Sequence, residues 1–449
     1  MQVKGVDSVQ QRRRMLATPI PRLVLSMAAP TVASQLISIF YNTADTFFVS
    51  HISTSASAAV GVVFSLMSII QALGYGLGMG ANSIISRSLG AKDQARADRT
   101  ASSAFFAALV LGLVLGAAGL AATQSLMRLL GSTETMLPHA AGYARVILCG
   151  APVMCASFVL SNILRGEGEA KLSMWGLCAG GLLNVALDPL FIFVLELGIA
   201  GAALATVLSQ CASFLILLAS FLRKRSLVRL SARLVSRAPG DYGRIFLTGF
   251  PTVCRQGMAS LASALLNNQA AVYSDAAVAA VTIANKVYLL VRSLIIGVGQ
   301  GFQPIAGYNY GAGDRRRTRQ AFWFACLLGS VICCAGAALT GLFSEQIIRF
   351  FRDDPDVVRT GAQALRFTAM VMPVMAFSTY VNQLYQCLGF AAPATFLASC
   401  RQGVCYVPLI VLLPRLFDLA GVAAAQPGAD LLTFVISVPF LIWFFRHKL

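Results

Sequence analysis

The sequence predicts an all-α polytopic membrane protein of twelve transmembrane helices in two parallel six-helix repeats. Three observations carry that prediction. The 449-residue chain is 57% hydrophobic and only 12% charged, with mean hydropathy +0.73. Its two halves align without a gap at an offset of 221 residues. Pro30-Thr31 falls on Pro251-Thr252, Gly76, Gly78 and Gly80 fall on Gly297, Gly299 and Gly301, and Pro152-Val153-Met154 falls on Pro373-Val374-Met375. Finally, the basic residues gather in alternate loops. Duplicated halves in a membrane protein point to alternating-access transport, with the substrate path where the repeats meet.

A bilayer-spanning helix needs about 20 mostly apolar residues. Residues 100–127, 197–222, 320–344 and 367–400 carry no charged side chain, and 46–86 is long enough for two passes with a turn near His51–Ser55. Continuous apolar runs favour helices, because barrel strands alternate in character. The first half therefore predicts spans at 23–50, 57–86, 100–127, 135–163, 172–194 and 197–222. The second predicts them at 244–271, 278–303, 320–343, 357–385, 393–413 and 418–445. Six spans per half bring both repeats into the membrane from the same side, which makes them parallel. The expected organisation is an N-terminal lobe over 1–222, a cytoplasmic linker over 223–243 and a C-terminal lobe over 244–449.

The net charge of +17 sets orientation. Most Lys and Arg lie before the first span, after the second, fourth, sixth and eighth spans and at the chain end, including Arg223, Lys224, Arg225, Arg229, Arg233 and Arg237 of the linker. The opposite loops hold only Arg128, Arg349, Arg352, Arg359 and Arg415. The positive-inside bias then places both termini and the linker in the cytoplasm. Dispersal over six loops argues against a nucleic-acid partner. Met1–Arg14 is polar and has no short apolar core, so no signal peptide is expected. The eleven cysteines are scattered through apolar runs without a Cys-x-x-Cys pair, and read as small buried hydrophobes.

Two acids interrupt the spans of the first half: Asp45 in Tyr41-Asn42-Thr43-Ala44-Asp45, and Asp188 in Asn184-Val185-Ala186-Leu187-Asp188-Pro189. An ionisable side chain inside a membrane is costly and marks function by default. Asn184 and Asp188 are four apart and share a helix face, while Pro189 frees carbonyls by kinking the helix. Carboxylate, amide and the Thr206 hydroxyl are hard oxygen donors, suited to sodium or to a proton held on a desolvated carboxyl. The second half carries Arg255, Lys286, Arg292 and Arg401 where the first has Ser34, Ser65, Gln71 and Gly180, and no acid is expected deep in that half. These bases read either as snorkelling side chains or as an anion-attracting wall. The run Gly74-x-Gly76-x-Gly78-x-Gly80 follows no strand and reads as close helix packing rather than a nucleotide loop. His-Glu-x-x-His and Gly-x-Ser-x-Gly are both absent, so no enzyme activity is expected.

Several strings resemble the multidrug and toxic compound extrusion (MATE) family, in its MepA-like and DinF-like bacterial branch. They are Tyr41-Asn42-x-x-Asp45-x-x-Phe48-Val49, Asn184-x-x-x-Asp188-Pro189-x-Phe191-Ile192-Phe193, Gly198-Ile199-Ala200-Gly201-Ala202-Ala203-x-Ala205-Thr206, and the long run from Gly299 to Ala312. The resemblance implies twelve helices in a V-shaped two-lobe transporter of the bacterial inner membrane. It implies export of amphipathic, often cationic drugs against inward proton or sodium flow, with no cofactor. It also implies a cation site at Asp45, Asn184, Asp188 and Thr206, which would be the sodium ligands if sodium is the coupling ion. Bending is expected near Pro30 and Pro189. Tyr41, Gln35, Gln256, Arg255, Lys286 and Arg292 are the candidate substrate-cavity residues. Drug-like molecules and membrane lipids are the expected partners of a monomer. The alternative reading is a flippase or exporter of a lipid-linked or anionic precursor.

Overall fold

In the computed structural model, which describes residues 3–50 and 54–448, every regular element is helical among the described residues. In chain order these are α1 (Val3–Ala17), α2 (Ile20–Ser50), α3 (Thr54–Gly90), α4 (Gln94–Ala121), α5 (Thr123–Leu129), α6 (Leu137–Gly166), α7 (Ala170–Pro189) and α8 (Gly198–Leu222). The second half follows with α9 (Pro239–Ala271), α10 (Asp275–Gly311), α11 (Arg315–Leu342), α12 (Ser344–Phe351), α13 (Pro355–Cys387), α14 (Ala391–Ser399) and α15 (Tyr406–His447). Part of the turn expected at His51–Ser55 lies outside the described residues, and α3 is already helical at Thr54.

Among the described residues, ten stretches are long and apolar enough to cross a membrane. The last, Ala391–His447, is 57 residues long, far more than one crossing at about 1.5 Å per residue requires. It is broken at Phe417 and Asp418, where Asp418 takes φ 49, and so crosses twice. The twelfth span is α9, whose 33 residues dilute their apolar character with Asp241, Arg244 and Arg255. Helices start earlier than the apolar runs because of their caps. The Asp93 carboxylate accepts the Arg96 amide to open α4 at Gln94, and Asp314 does the same from Arg317 for α11. These two caps sit at the duplication offset.

The chain packs into two compact units. The first holds Met1–Thr18, Ala33–Val253 and Gly311–Gly313; the second holds Pro19–Val32, Cys254–Tyr310 and Asp314–Leu449. Within the first, α6 is the central helix, packed on α3, α4, α7 and α8; within the second, its counterpart α13 packs on α11, α12, α14 and α15. Two of the boundaries fall inside long helices rather than in loops. They cut α2 after Val32 and α9 after Val253, just past the duplicated Pro30-Thr31 and Pro251-Thr252. A proline ring removes one backbone bond at each place, so the chain passes between units where each helix is weakest.

The duplicated glycines hold the borrowed helix starts. A Cβ on Gly80 would stand 2.0 Å from the Ile245 carbonyl oxygen of α9, and one on Gly301 would stand 2.6 Å from the Ala28 backbone of α2. These are backbone-to-backbone contacts that no side chain permits. The Thr31 hydroxyl adds a bond to the Gly297 carbonyl at 2.6 Å. The 223–243 segment also belongs to the first unit. Glu167, fully buried, accepts from the Ser226 hydroxyl and the Leu227 amide, both at 2.7 Å. Asp98 accepts from the Arg229 amide, and the Ser103 hydroxyl from the Ser236 amide. Burial pushes the Glu167 carboxyl up to about 8.

Candidate functional site

In the first unit, α2 lies against α7 at Gly181, where a Cβ would meet the Tyr41 ring at 3.0 Å and Ile37 at 3.3 Å. Asp45 follows Tyr41 by one helical turn, and Asn184 and Asp188 follow Gly181 by one and two turns. The register of that contact therefore brings the two carboxyls close enough to repel one another. Asp188 is fully buried and Asn184 nearly so, while Asp45 and Tyr41 are half-buried. The Asn184 amide donates to Asp188 Oδ1 at 3.2 Å. Asp188 Oδ2 and Asp45 Oδ1 are buried with no hydrogen-bond partner. Directly after Pro189 the helix widens into a π turn over Leu190–Val194.

Thr206 is buried on α8. Beside it lies Tyr143 of α6, fully buried and within electrostatic reach of both Asp45 and Asp188. Tyr143 escapes sequence reasoning because a tyrosine in an apolar span is usually core. All five side chains belong to one unit. A buried acceptor without a donor costs on the order of 1–3 kcal/mol, and more when charged, so two such carboxyl oxygens favour uptake of a proton or a small cation.

The positions 221 residues on contain no equivalent. Leu266 and Cys405 stand in place of Asp45 and Asn184 inside an apolar cluster with Ala262, Tyr406 and Ile410, and Leu409, in place of Asp188, packs against it. Two copies of one fold have thus kept their scaffold and diverged at these side chains.

The second unit has polar chemistry of another kind. Arg255, Arg292, Arg401 and Gln402 line a narrow crevice with an accessible volume of about 30 Å³. Here one sequence expectation is corrected: an acid does lie deep in this half. Asp430 of α15 is 4% exposed and pairs with Arg401, whose Nε donates to Oδ1 at 2.6 Å. Tyr288 bridges the pair, accepting from Arg401 at 2.6 Å and donating to Asp430 at 2.9 Å. The available signal was Gln426-x-x-x-Asp430, which repeats the spacing of Asn184 and Asp188 and places an amide 3.3 Å from Oδ1. Lys286 is exposed and does not line the crevice. Gln35 and Gln256 are half-buried and belong to neither constellation. Pro30 is buried within a continuous α2.

The MatE family model matches this chain twice, over residues 30–190 and 251–412, two starts separated by the duplication offset. Multidrug export protein MepA of Staphylococcus saprophyticus subsp. saprophyticus is 25% identical over 427 residues, covering 95% of this chain and 94% of that protein. MepA of Staphylococcus aureus strain MSSA476 is 25% identical over 434 residues, covering 96% and 95%. Among solved structures, MATE in complex with MaL6 has TM-score 0.91 at 27% identity, over 96% of this chain and 97% of that one. The outward-facing conformation of a multidrug resistance MATE family transporter of the MOP superfamily has TM-score 0.90 at 28% identity, over 96% of each chain.

Proposed function

The chain belongs to the MatE family, and from that premise we propose that it is a secondary antiporter exporting drug-like amphipathic compounds in exchange for protons or sodium. The names of the MepA relatives support the export of multiple drugs. The observation that carries the coupling is the pair Asp45 and Asp188, each with a buried carboxyl oxygen lacking a partner. A proton or sodium ion entering beside them relieves both the unmet acceptors and the mutual repulsion. Asn184, Thr206 and Tyr143 complete the binding shell. No cofactor takes part, because the membrane potential supplies about 2.3 kcal/mol per charge per 100 mV.

The coupling works through differential affinity: an ion shifts a conformational equilibrium only by binding one state better. Ion binding in the first unit bends α2 at Pro30, where the chain passes between units, and drug binding favours the opposite state. The working protein is a monomer of the bacterial inner membrane, with both termini and the 223–243 linker in the cytoplasm. Here 1–222 and 244–449 are the duplicated halves whose alternation moves the substrate. Proteoliposomes with an imposed proton or sodium gradient, one at a time, test the proposal by ethidium transport. Asp45→Asn and Asp188→Asn are expected to abolish gradient-driven transport while leaving ethidium binding intact. Wild-type transport by both variants refutes the coupling.

A second reading, export or flipping of a lipid-linked or anionic precursor, draws on Arg255 and Arg292. Loss of precursor export with retained drug efflux in Arg255→Ala and Arg292→Ala would favour it.

A further inference from the structure

The three arginines of the second unit's crevice are not equivalent. Arg401 is spoken for: Nε meets Asp430, one terminal nitrogen meets the Thr379 hydroxyl at 3.0 Å, and the other meets Tyr288. Its charge is balanced. Arg292 is 6% exposed and has one bond, to Gln402 Oε1 at 3.0 Å. Its Nε is buried without any partner. Arg255, half-buried on α9, faces both other arginines. Among the described residues neither Arg255 nor Arg292 makes an ion pair.

A buried guanidinium with an unmet N–H and no counter-charge is costly to maintain. Simple packing does not demand it, since the first half fills the same three positions with Ser34, Gln71 and Gly180. There Gly180 closes the space outright: a Cβ would stand 1.8 Å from Ser213 Oγ and 2.7 Å from the Ser209 carbonyl. Ser209 is the counterpart of Asp430. The second half has therefore replaced a closed glycine–serine contact with an open crevice, an internally neutral pair and two uncompensated positive charges. Ser378 and Asn382, also buried, complete the polar lining.

We propose that Arg255 and Arg292 bind an oxyanion group, a carboxylate or phosphate, carried by the transported molecule. Cargo bearing such a group, a zwitterionic or anionic amphiphile, is then preferred over a purely cationic one such as ethidium. This deepens the export reading and rests on it. Arginine suits the task, because its planar fork meets two oxygens of such a group at once.

The test uses the full chain in phosphatidylcholine nanodiscs and equilibrium dialysis with norfloxacin and its methyl ester, which differ by one carboxylate. The acid is expected to bind at least about tenfold tighter than the ester, the factor of a charge-assisted bond. In Arg255→Gln and Arg292→Gln the ratio falls towards one, and a monodisperse peak in detergent chromatography certifies the fold. Arg292→Lys keeps only part of the preference, because an ammonium meets the group as a point charge rather than with a two-pronged fork. A wild-type ratio near one, or a ratio that survives both glutamine variants, overturns the proposal. The same titration in phosphatidylglycerol nanodiscs separates cargo from lipid. An unchanged ratio assigns the group to the cargo, whereas loss of the ratio assigns the crevice to a lipid headgroup and overturns it. Gradient-driven export of the ester with no acid preference sinks this site alone. An acid preference without any gradient-driven export sinks only the antiport reading.

Discussion

Removing one member of the Arg401–Asp430 pair should cost far more than removing both. The pair is deeply buried, with the two side chains 10% and 5% exposed and Nε 2.6 Å from Oδ1. Asp430→Asn preserves shape but leaves Arg401 as a buried, uncompensated charge beside Arg255 and Arg292. Arg401→Met leaves the Asp430 carboxylate with only Tyr288 and Gln426 as donors. Breaking a buried pair in this way costs about 3–5 kcal/mol, whereas replacing both members is often near neutral. The double variant should therefore be more stable than either single one, with a coupling energy of at least about 6 kcal/mol, since two single costs of about 3 kcal/mol or more vanish together. That coupling corresponds to about ten-thousandfold in the unfolding equilibrium, at about 1.4 kcal/mol per tenfold. A thiol-reactive fluorogenic dye suits the assay, since Cys400 and Cys405 flank Arg401 and are buried and unpaired. Arg128–Glu134, with side chains 56% and 78% exposed, is the control and should contribute under about 1 kcal/mol. Single-variant costs that add to within about 0.5 kcal/mol in the double variant refute the reasoning.

Asn184→Ala distinguishes the coupling ions by direction. Losing the amide that donates to ionised Asp188 tightens proton binding, moving the pH of half-maximal transport upward, but weakens sodium binding, raising the sodium required. No shift in either midpoint removes Asn184 from the site. The Glu167 clamp on the linker should respond to pH. Burial raises its folded-state value to about 8 from an ordinary 4.5, so the neutral form is the one the fold favours. Its stabilising contribution is complete below about 4.5 and is lost as pH rises through about 8. Hydrogen exchange at Leu227 and Val228, corrected for intrinsic rate, should accelerate between about pH 7 and 9 in the wild type and not in Glu167→Gln. Gly80→Ala should abolish the monodisperse peak in detergent chromatography, because its Cβ cannot coexist with the Ile245 carbonyl. Gly61→Ala in the same helix meets nothing within 4 Å and should be tolerated.

Much of this was legible in the chain itself. The 221-residue offset and the apolar runs gave the helices, because membrane solvation imposes long uninterrupted segments. Asp45, Asn184 and Asp188 stood out because charge is rare there and four-residue spacing places groups on one face. Asp430 was obscured by its setting: Gln426-Pro427-Gly428 resembles a turn, and only the demand of Arg401 for a counter-ion explains it. Tyr143 had no signal, since nothing local separates a core tyrosine from one beside a carboxylate. The two unit boundaries inside α2 and α9 were equally hidden, because packing partners hundreds of residues apart leave no mark on composition.

Those boundaries bear on ancestry. Residues 19–32 are held by the second unit and 239–253 by the first, so each six-helix half lends the opening of its first helix to the other. A half taken alone lacks the segment that completes its unit, and duplication within one chain makes that exchange internal. Each copy is then free to carry its own polar chemistry, the unmet carboxyl oxygens of Asp45 and Asp188 in one and the clustered arginines in the other.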